Sequence, residues 1–125
     1  MKINMAVAVQ IQNTLGELVN TKMNIKTSYK IMKFLKSIEQ ERSFFDSKMK
    51  EIIEEFGEKK EDGTPNIMEN GNISIIKGKE MECAEAMKEL EALEIEIPDT
   101  KFSLEEFDEL ELSPREIFSL DPIIE

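Results

Sequence analysis

Residues 31–56 read IMKFLKSIEQERSFFDSKMKEIIEEF, and an apolar side chain recurs in this stretch every three or four positions. The apolar row consists of Ile31, Leu35, Ile38, Phe45, Met49, Ile52 and Phe56, with Arg42 as its single charged member. Alternating spacings of four and three form a heptad seam, which is typical of a helix packed along another helix. Thr27 or Ser28 offers an N-cap and Gly57 a C-terminal stop. We therefore expect one helix of about 29 residues, roughly 43 Å long.

A second amphipathic stretch, residues 7–22, supplies a packing partner for this seam within the chain. Its apolar face is formed by Val7, Ile11, Leu15, Leu18 and Val19. Residues 24–27 would connect the two helices into a long antiparallel hairpin with coiled-coil-like packing. The sequence leaves open whether the long helix pairs inside the chain or across a dimer. It also leaves open whether Arg42 reaches solvent or pairs with a carboxylate.

The middle of the chain, residues 58–78, predicts a polar turn followed by a β-hairpin. Residues 67–75 read IMENGNISI, and the Asn70-Gly71 pair favours a two-residue type I′ turn, in which both residues have positive φ. Such a hairpin is marginal alone and must rest on the helices. We find no internal repeat in the sequence.

The last segment, residues 79–125, predicts a helix over 79–93, a strand at 94–97 and a short C-terminal helix. Cys83, Met87 and Leu90 share one face of the first helix, and Pro98 ends the strand. Ser103 precedes a helical turn at 104–107. Ser113-Pro114-Arg115-Glu116 is a capping box that opens a helix carrying Ile117, Phe118 and Leu120. The predicted class is α+β, mainly α, as one domain over 1–125 with segments 1–57, 58–78 and 79–125.

The residues that usually carry catalysis are scarce. The 125 residues include no histidine and one cysteine, which excludes thiol–imidazole catalysis and Cys/His zinc sites. Cys83 is expected to be a small core residue. No glycine loop matches a phosphate-binding fingerprint. We expect a non-enzymatic protein with no cofactor and no metal.

Charge is divided unevenly along the chain. Residues 1–60 carry eleven basic side chains against eight acids, a balance of +3, and residues 61–125 carry five against nineteen, a balance of −14. The acids crowd the tail, where we take Glu105, Glu106, Asp108, Glu109 and Glu111, with the apolar Phe118, as candidate partner-binding residues. An acidic surface repels phosphates and attracts basic protein surfaces, so direct nucleic-acid binding is not expected.

Five lysines recur at helical spacing on the face opposite the seam, and they are Lys22, Lys26, Lys30, Lys33 and Lys36. Without interleaved exposed aromatic residues they favour a solvated face over a nucleic-acid or membrane site. They could also dock acidic surfaces, including the protein's own tail. No stretch reaches the length of a membrane span, and the single cysteine fits a reducing cytoplasm.

The ending LSPREIFSLDPII, residues 112–124, resembles the close of many small uncharacterised bacteriophage proteins. The order of elements is similar as well, with Ser28-Tyr29-Lys30-Ile31 opening a long helix, a Lys-Glu-Asp-Gly turn and an Asn-Gly hairpin. The resemblance implies a phage or prophage origin and a place in the host cytoplasm or the virion. It implies no activity and no site residues.

Two functions follow as hypotheses. The first is a non-catalytic protein that binds and modulates a host protein, for example a defence or nucleic-acid-processing enzyme, through the acidic surface. The second is a structural or assembly component of the virion that acts through the heptad seam and the apolar tail, in which case homo-oligomers are expected.

Overall fold

A computed structural model describes residues 1–99 and 101–125 as five α-helices and one two-stranded antiparallel sheet. The mainly helical α+β class predicted from the sequence is confirmed. The chain divides into two units: residues 1–42 with 94–125, and residues 43–93. The prediction of a single domain stays a prediction.

Two asparagine side chains fix where the first two helices begin. Helix α1 spans Met5–Glu17, and the Oδ1 atom of Asn4 accepts a hydrogen bond of 2.8 Å from the amide of Val7. Helix α2 spans Ile25–Ser37, and Asn24 accepts 2.8 Å from the amide of Lys26. The N-cap of α2 is therefore Asn24, and the prediction of Thr27 or Ser28 is wrong.

Helix α1 is shorter than the predicted 7–22. Beyond Glu17 the backbone tightens, because the Leu18 amide bonds the Leu15 carbonyl and the Thr21 amide bonds the Leu18 carbonyl, both at 3.0 Å. Such i→i+3 bonds end α-helical geometry, and Asn20 and Thr21 favour turns over helix interiors. Leu18 is still buried, whereas Val19 is 59% exposed.

The prediction of one continuous helix up to Phe56 is wrong, because the helix is interrupted at Ile38. Helix α2 ends at Ser37, and α3 spans Glu39–Phe56. The hydroxyl of Ser37 donates to the Phe34 carbonyl at 2.6 Å, and this back-bonding competes with the helical ladder. Ile38 itself is buried at the break.

The sheet of the first unit pairs the first residues of the chain with the strand predicted after the helix at 79–93. Strand β1, Lys2–Asn4, pairs antiparallel with β2, Glu94–Glu96, placing Ile3 opposite Ile95. The sequence predicted β2. It did not predict β1, because the three residues Lys2–Asn4 form too short a pattern to indicate a strand.

The core of the first unit draws on α1, α2 and the tail. Its fully buried side chains are Ile11, Leu15, Phe34, Ile38, Phe102, Leu120 and Ile123. The tail contributes a 3₁₀ helix at Leu104–Phe107, helix α5 at Pro114–Leu120 and a 3₁₀ turn at Asp121–Ile123. The predicted turn after Ser103 and the predicted capped helix are both confirmed.

The second unit contains the C-terminal part of α3, helix α4 at Glu80–Glu91 and a bridged segment between them. Phe56, Cys83 and Leu90 are its buried apolar side chains. The prediction that Cys83, Met87 and Leu90 share one face of this helix is confirmed for Cys83 and Leu90, which are buried. Met87 is half-buried.

The bridged segment repeats every eight residues. Three backbone hydrogen bonds form a closed ring. The Glu58 amide donates 2.7 Å to the Ser74 carbonyl, the Ser74 amide donates 2.9 Å to the Asn66 carbonyl, and the Asn66 amide donates 2.8 Å to the Glu58 carbonyl. Antiparallel bridges join Gly57 to Ile75, Lys59 to Pro65 and Ile67 to Ile73. Side chains share the repeat at its turns, since Asp62 and Asn70 accept from the amides of Thr64 and Asn72, and Gly63 and Gly71 both have positive φ. The expectation that the chain holds no internal repeat is therefore wrong.

Within the β-hairpin predicted at 67–75, an isolated antiparallel bridge joins Ile67 to Ile73, and the turn between them is not type I′. Gly71 has a φ of +85°, and no residue other than glycine has positive φ in the described chain. The Asn70 side chain accepts 3.0 Å from the Asn72 amide. This Asx turn keeps Asn70 at negative φ, so the loop needs three residues and ends on Gly71.

Candidate functional site

Lys30 joins α2 to the acidic tail. Its Nζ atom lies 3.0 and 3.1 Å from the carboxylate oxygens of Glu106 and donates 2.7 Å to the carbonyl of Lys101. The same atom stands 4.6 Å above the ring centroid of Phe102. The side chains of Lys30 and Glu106 are 31% and 24% exposed. The suggestion that the lysines could dock the protein's own tail is confirmed for Lys30.

Glu106 also fixes the start of the 3₁₀ helix. Its Oε2 atom accepts 2.8 Å from the amide of Ser103, so one carboxylate binds both a helix start and a lysine. Burial acts to raise the pKa of Glu106, but the Ser103 amide and Lys30 outweigh it and hold that pKa below its ordinary value. The candidate partner-binding residue Glu106 is thus engaged inside the molecule.

Two aromatic rings of this segment pack in the core. Phe102 and Phe107 are buried, and their rings stack at 5.5 Å between centroids with 29° between planes. The Phe102 amide donates 2.7 Å to the Ile123 carbonyl, and its carbonyl accepts 2.9 Å from the Glu125 amide. The backbone is therefore held just before the 3₁₀ helix, and the buried Phe107 ring holds the end of that helix in the core.

Beside the 3₁₀ helix lies a groove of about 430 Å³, which we call the acidic groove. Its lining consists of Met23, Asn24, Lys26, Thr27, Ser103, Glu105, Glu106, Asp108, Glu109 and Leu110. The carboxylates of Glu105, Asp108 and Glu109 are exposed along it, and Lys26 lies on the opposite wall. Carboxylates held in a concave surface attract cationic side chains and repel phosphates.

The other two candidate binding residues lie further along the tail. Glu111 is exposed. Phe118 is 80% exposed on α5, whose Leu120 is fully buried, so α5 presents one ring to solvent while its other face joins the core. The Ser113 hydroxyl accepts 3.2 Å from the Glu116 amide, and Glu116 accepts 3.0 Å from the Ser113 amide, which fixes this helix start.

The residues of the heptad seam are divided between the two units. Ile31, Leu35 and Ile38 belong to the first unit, and Ile31 and Ile38 are buried there. Phe45, Met49, Ile52 and Phe56 belong to the second unit, where Phe56 is buried and the other three are half-buried. Within the first unit Arg42 donates 2.8 Å to Asn13 and 3.1 Å to Gln12 on α1.

Sequence reasoning missed a second groove, of about 270 Å³, beside α2. This apolar groove is lined by Leu18, Val19, Met23, Ser28, Ile31, Met32 and Leu35. The lysine face next to it does contain an exposed aromatic, since Tyr29 is more than half exposed and Lys33 Nζ lies 5.6 Å from its ring centroid. The available signal was that Met32 and Tyr29 lie outside the seam and are too apolar for a purely solvated face.

Chemically reactive clusters are not part of either groove. Among the described residues no group of three or more His, Cys, Asp or Glu side chains is arranged to hold a metal ion. Cys83 is buried, which raises the pKa of its thiol and leaves it in the less reactive protonated form. Within the described chain, no helix has the length and apolar character needed to cross a membrane.

Comparison with known proteins adds no relative, since no family model, curated protein or solved structure matches this chain.

Proposed function

We propose that this protein works without catalysis, by binding a basic surface of another protein along its acidic groove. The observation that carries the proposal is the combination of exposed Glu105, Asp108 and Glu109 with a backbone anchored beneath them by Lys30 and Glu106. A preorganised carboxylate surface loses less conformational entropy on binding than a disordered acidic tail. It can therefore discriminate between basic surfaces.

The proposed partner is a host protein whose basic surface handles nucleic acid, such as a defence or nucleic-acid-processing enzyme. Carboxylates repeat the negative charge of phosphates, so the same basic surface attracts both. The resemblance of residues 112–124 to bacteriophage proteins adds the proposal that this occurs in the cytoplasm of an infected bacterium. Occupying such a surface would inhibit the partner by competition.

The test compares three forms of the protein as bait in host lysate. The first is wild type, and the second reverses Glu105, Asp108 and Glu109 to Lys. The third reverses three exposed acids of α4, Glu85, Glu89 and Glu91, to Lys, so it carries the same net charge as the second. Captured proteins are identified by mass spectrometry at low and moderate salt.

A partner held by wild type and by the α4 variant, released by the tail variant and weakened by salt, would support the proposal. Equal loss in both variants would show that net charge alone matters, and retention by both would remove the acidic groove from binding. Inhibition is then measured directly, as competition between this protein and nucleic acid for binding to the purified partner.

A second candidate function is a virion assembly role, in which copies of the chain or virion proteins associate through apolar side chains. The observation that favours it is the exposure of Phe118, together with the apolar groove that Leu35 lines. Pairing of the seam across a dimer belongs to this candidate. It predicts salt-insensitive association that Leu35→Asp or Phe118→Asp disrupts, measured by fractionation with virions.

A further inference from the structure

An uncovered apolar face runs along α2 beside the apolar groove. Ile25, Tyr29 and Met32 lie at i, i+4 and i+7, which is one stripe of a helix, and each is more than half exposed. Met32 also lines the groove, together with the exposed Val19. Contiguous apolar side chains of this size are rarely left in water unless a partner covers them.

Exposed lysines lie close to this face along the chain. Lys22, Lys26, Lys33 and Lys36 are exposed, and none of them pairs with a carboxylate in the described chain. Residues 1–42 carry seven basic side chains against three acids, a net charge of +4. An apolar occupant that carries a net negative charge is therefore favoured.

The charge decides how a second copy could fit. If α2 packed symmetrically against α2 of another copy, the lysines of both would face each other, and like charges oppose such a contact. The tail offers the opposite character, because residues 94–125 carry two basic side chains against eleven acids, a net charge of −9.

We propose that α5 of one copy docks, through Phe118, into the apolar groove of a second copy. Phe118 is 80% exposed, the neighbouring Ile117 is also exposed, and the exposed acid Asp121 follows Phe118 by three residues. At about 270 Å³ the groove falls just below the roughly 300–1,000 Å³ of small-molecule sites, a size suited to one or two anchoring side chains. A large aromatic ring complements the apolar groove, and the net charges of the two segments, −9 for residues 94–125 and +4 for residues 1–42, favour the contact.

The contact is heterologous, since it joins two different surfaces. In a pair, one copy keeps a free groove and the other keeps a free Phe118, so assembly continues into chains or closes into rings. The contact does not occupy the acidic groove, so its failure would leave the proposed binding of a basic partner intact. It gives the assembly candidate a specific contact.

The test uses Met32→Asp and Phe118→Asp, measured by analytical ultracentrifugation over a wide concentration range. Met81→Asp is the matched control, because Met81 of α4 is 78% exposed and the same charge is introduced outside both surfaces. Circular dichroism and thermal melting establish that each variant is folded.

We expect the mass of wild type and Met81→Asp to rise with concentration beyond that of a dimer. Met32→Asp and Phe118→Asp should each associate at least about thirty-fold more weakly, as hot-spot residues do. An equimolar mixture of these two variants should form a dimer and nothing larger, because the Phe118 of one fits the intact groove of the other. A wild type that stays monomeric, variants that assemble as wild type does, or a mixture that stays monomeric would each overturn the proposal.

Discussion

Lys30 and Glu106 lie 76 positions apart in the chain, and their charged atoms are 3.0 Å apart. This pair fastens the acidic tail to α2, and each side chain is about one-third exposed or less. We expect Glu106→Gln to lower the free energy of unfolding by about 1–2 kcal/mol, since it weakens a charged hydrogen bond that is only partly screened by water. Chemical denaturation monitored by circular dichroism measures the change.

The control for this pair is Lys48–Glu51, which is exposed, local to α3 and separated by 3.2 Å. Glu51→Gln should change the free energy of unfolding by less than about 0.5 kcal/mol. A double-mutant cycle of Lys30→Met with Glu106→Gln isolates the coupling. A coupling near zero would show that the Lys30–Glu106 ion pair does not help to hold the tail.

The pH dependence of stability follows from the same carboxylate. The pKa of Glu106 is lowered in the folded protein, so its contribution is present above the unfolded pKa and is lost as pH falls through the folded pKa. The difference in unfolding free energy between wild type and Glu106→Gln should therefore be constant near neutrality and shrink below about pH 4.5. Denaturant titrations at several pH values measure it, and a difference that grows on acidification would contradict the assignment.

Local signals in the sequence predicted the tail well. The capping box at Ser113–Glu116, the turn after Ser103 and the Cys83–Leu90 face all arise from residues within one or two turns of each other, and all are confirmed. The candidate Phe118 is exposed as a binding residue must be, and Glu105, Asp108 and Glu109 line one groove.

Relations between distant residues were beyond the sequence pattern. The heptad spacing is continuous through Ile38, yet the helix is interrupted there, next to the Ser37 hydroxyl that donates to the Phe34 carbonyl. Likewise, nothing in the sequence indicates that Glu106 is the acid of the tail that pairs with Lys30. Tertiary packing selects it from a run of similar carboxylates. The apolar groove beside α2 depends on where α1 ends, and helix ends are poorly defined by periodicity.

Gly57 is required for steric space and not for positive φ. A Cβ atom there would meet the Ile53 carbonyl oxygen at 2.5 Å and the Ile73 Cγ2 at 3.1 Å. We expect Gly57→Ala to lower the unfolding free energy by about 1–3 kcal/mol, as overpacking does. Gly16, inside α1, has nothing within 4 Å of an added Cβ.

Gly16→Ala is therefore the matched control, and it should raise the unfolding free energy by about 0.5–1 kcal/mol through helix propensity. Thermal melting of the two variants distinguishes them by the sign of the shift. Equal shifts would mean that the close approach of Ile53 to Gly57 relaxes freely.

Two phenylalanines of the tail differ sharply in what they support. Phe102 is fully buried, stacks on Phe107 and lies under Lys30, whereas Phe118 is 80% exposed. Phe102→Ala should lower the unfolding free energy by about 3–5 kcal/mol, because it opens a cavity and removes the floor beneath the Lys30–Glu106 pair. Phe118→Ala, measured at low protein concentration, should stay within about 0.5 kcal/mol of wild type. If Phe118→Ala instead destabilised the isolated chain as Phe102→Ala does, its ring would serve the fold, and it could not be the free anchor that docking into a second copy requires.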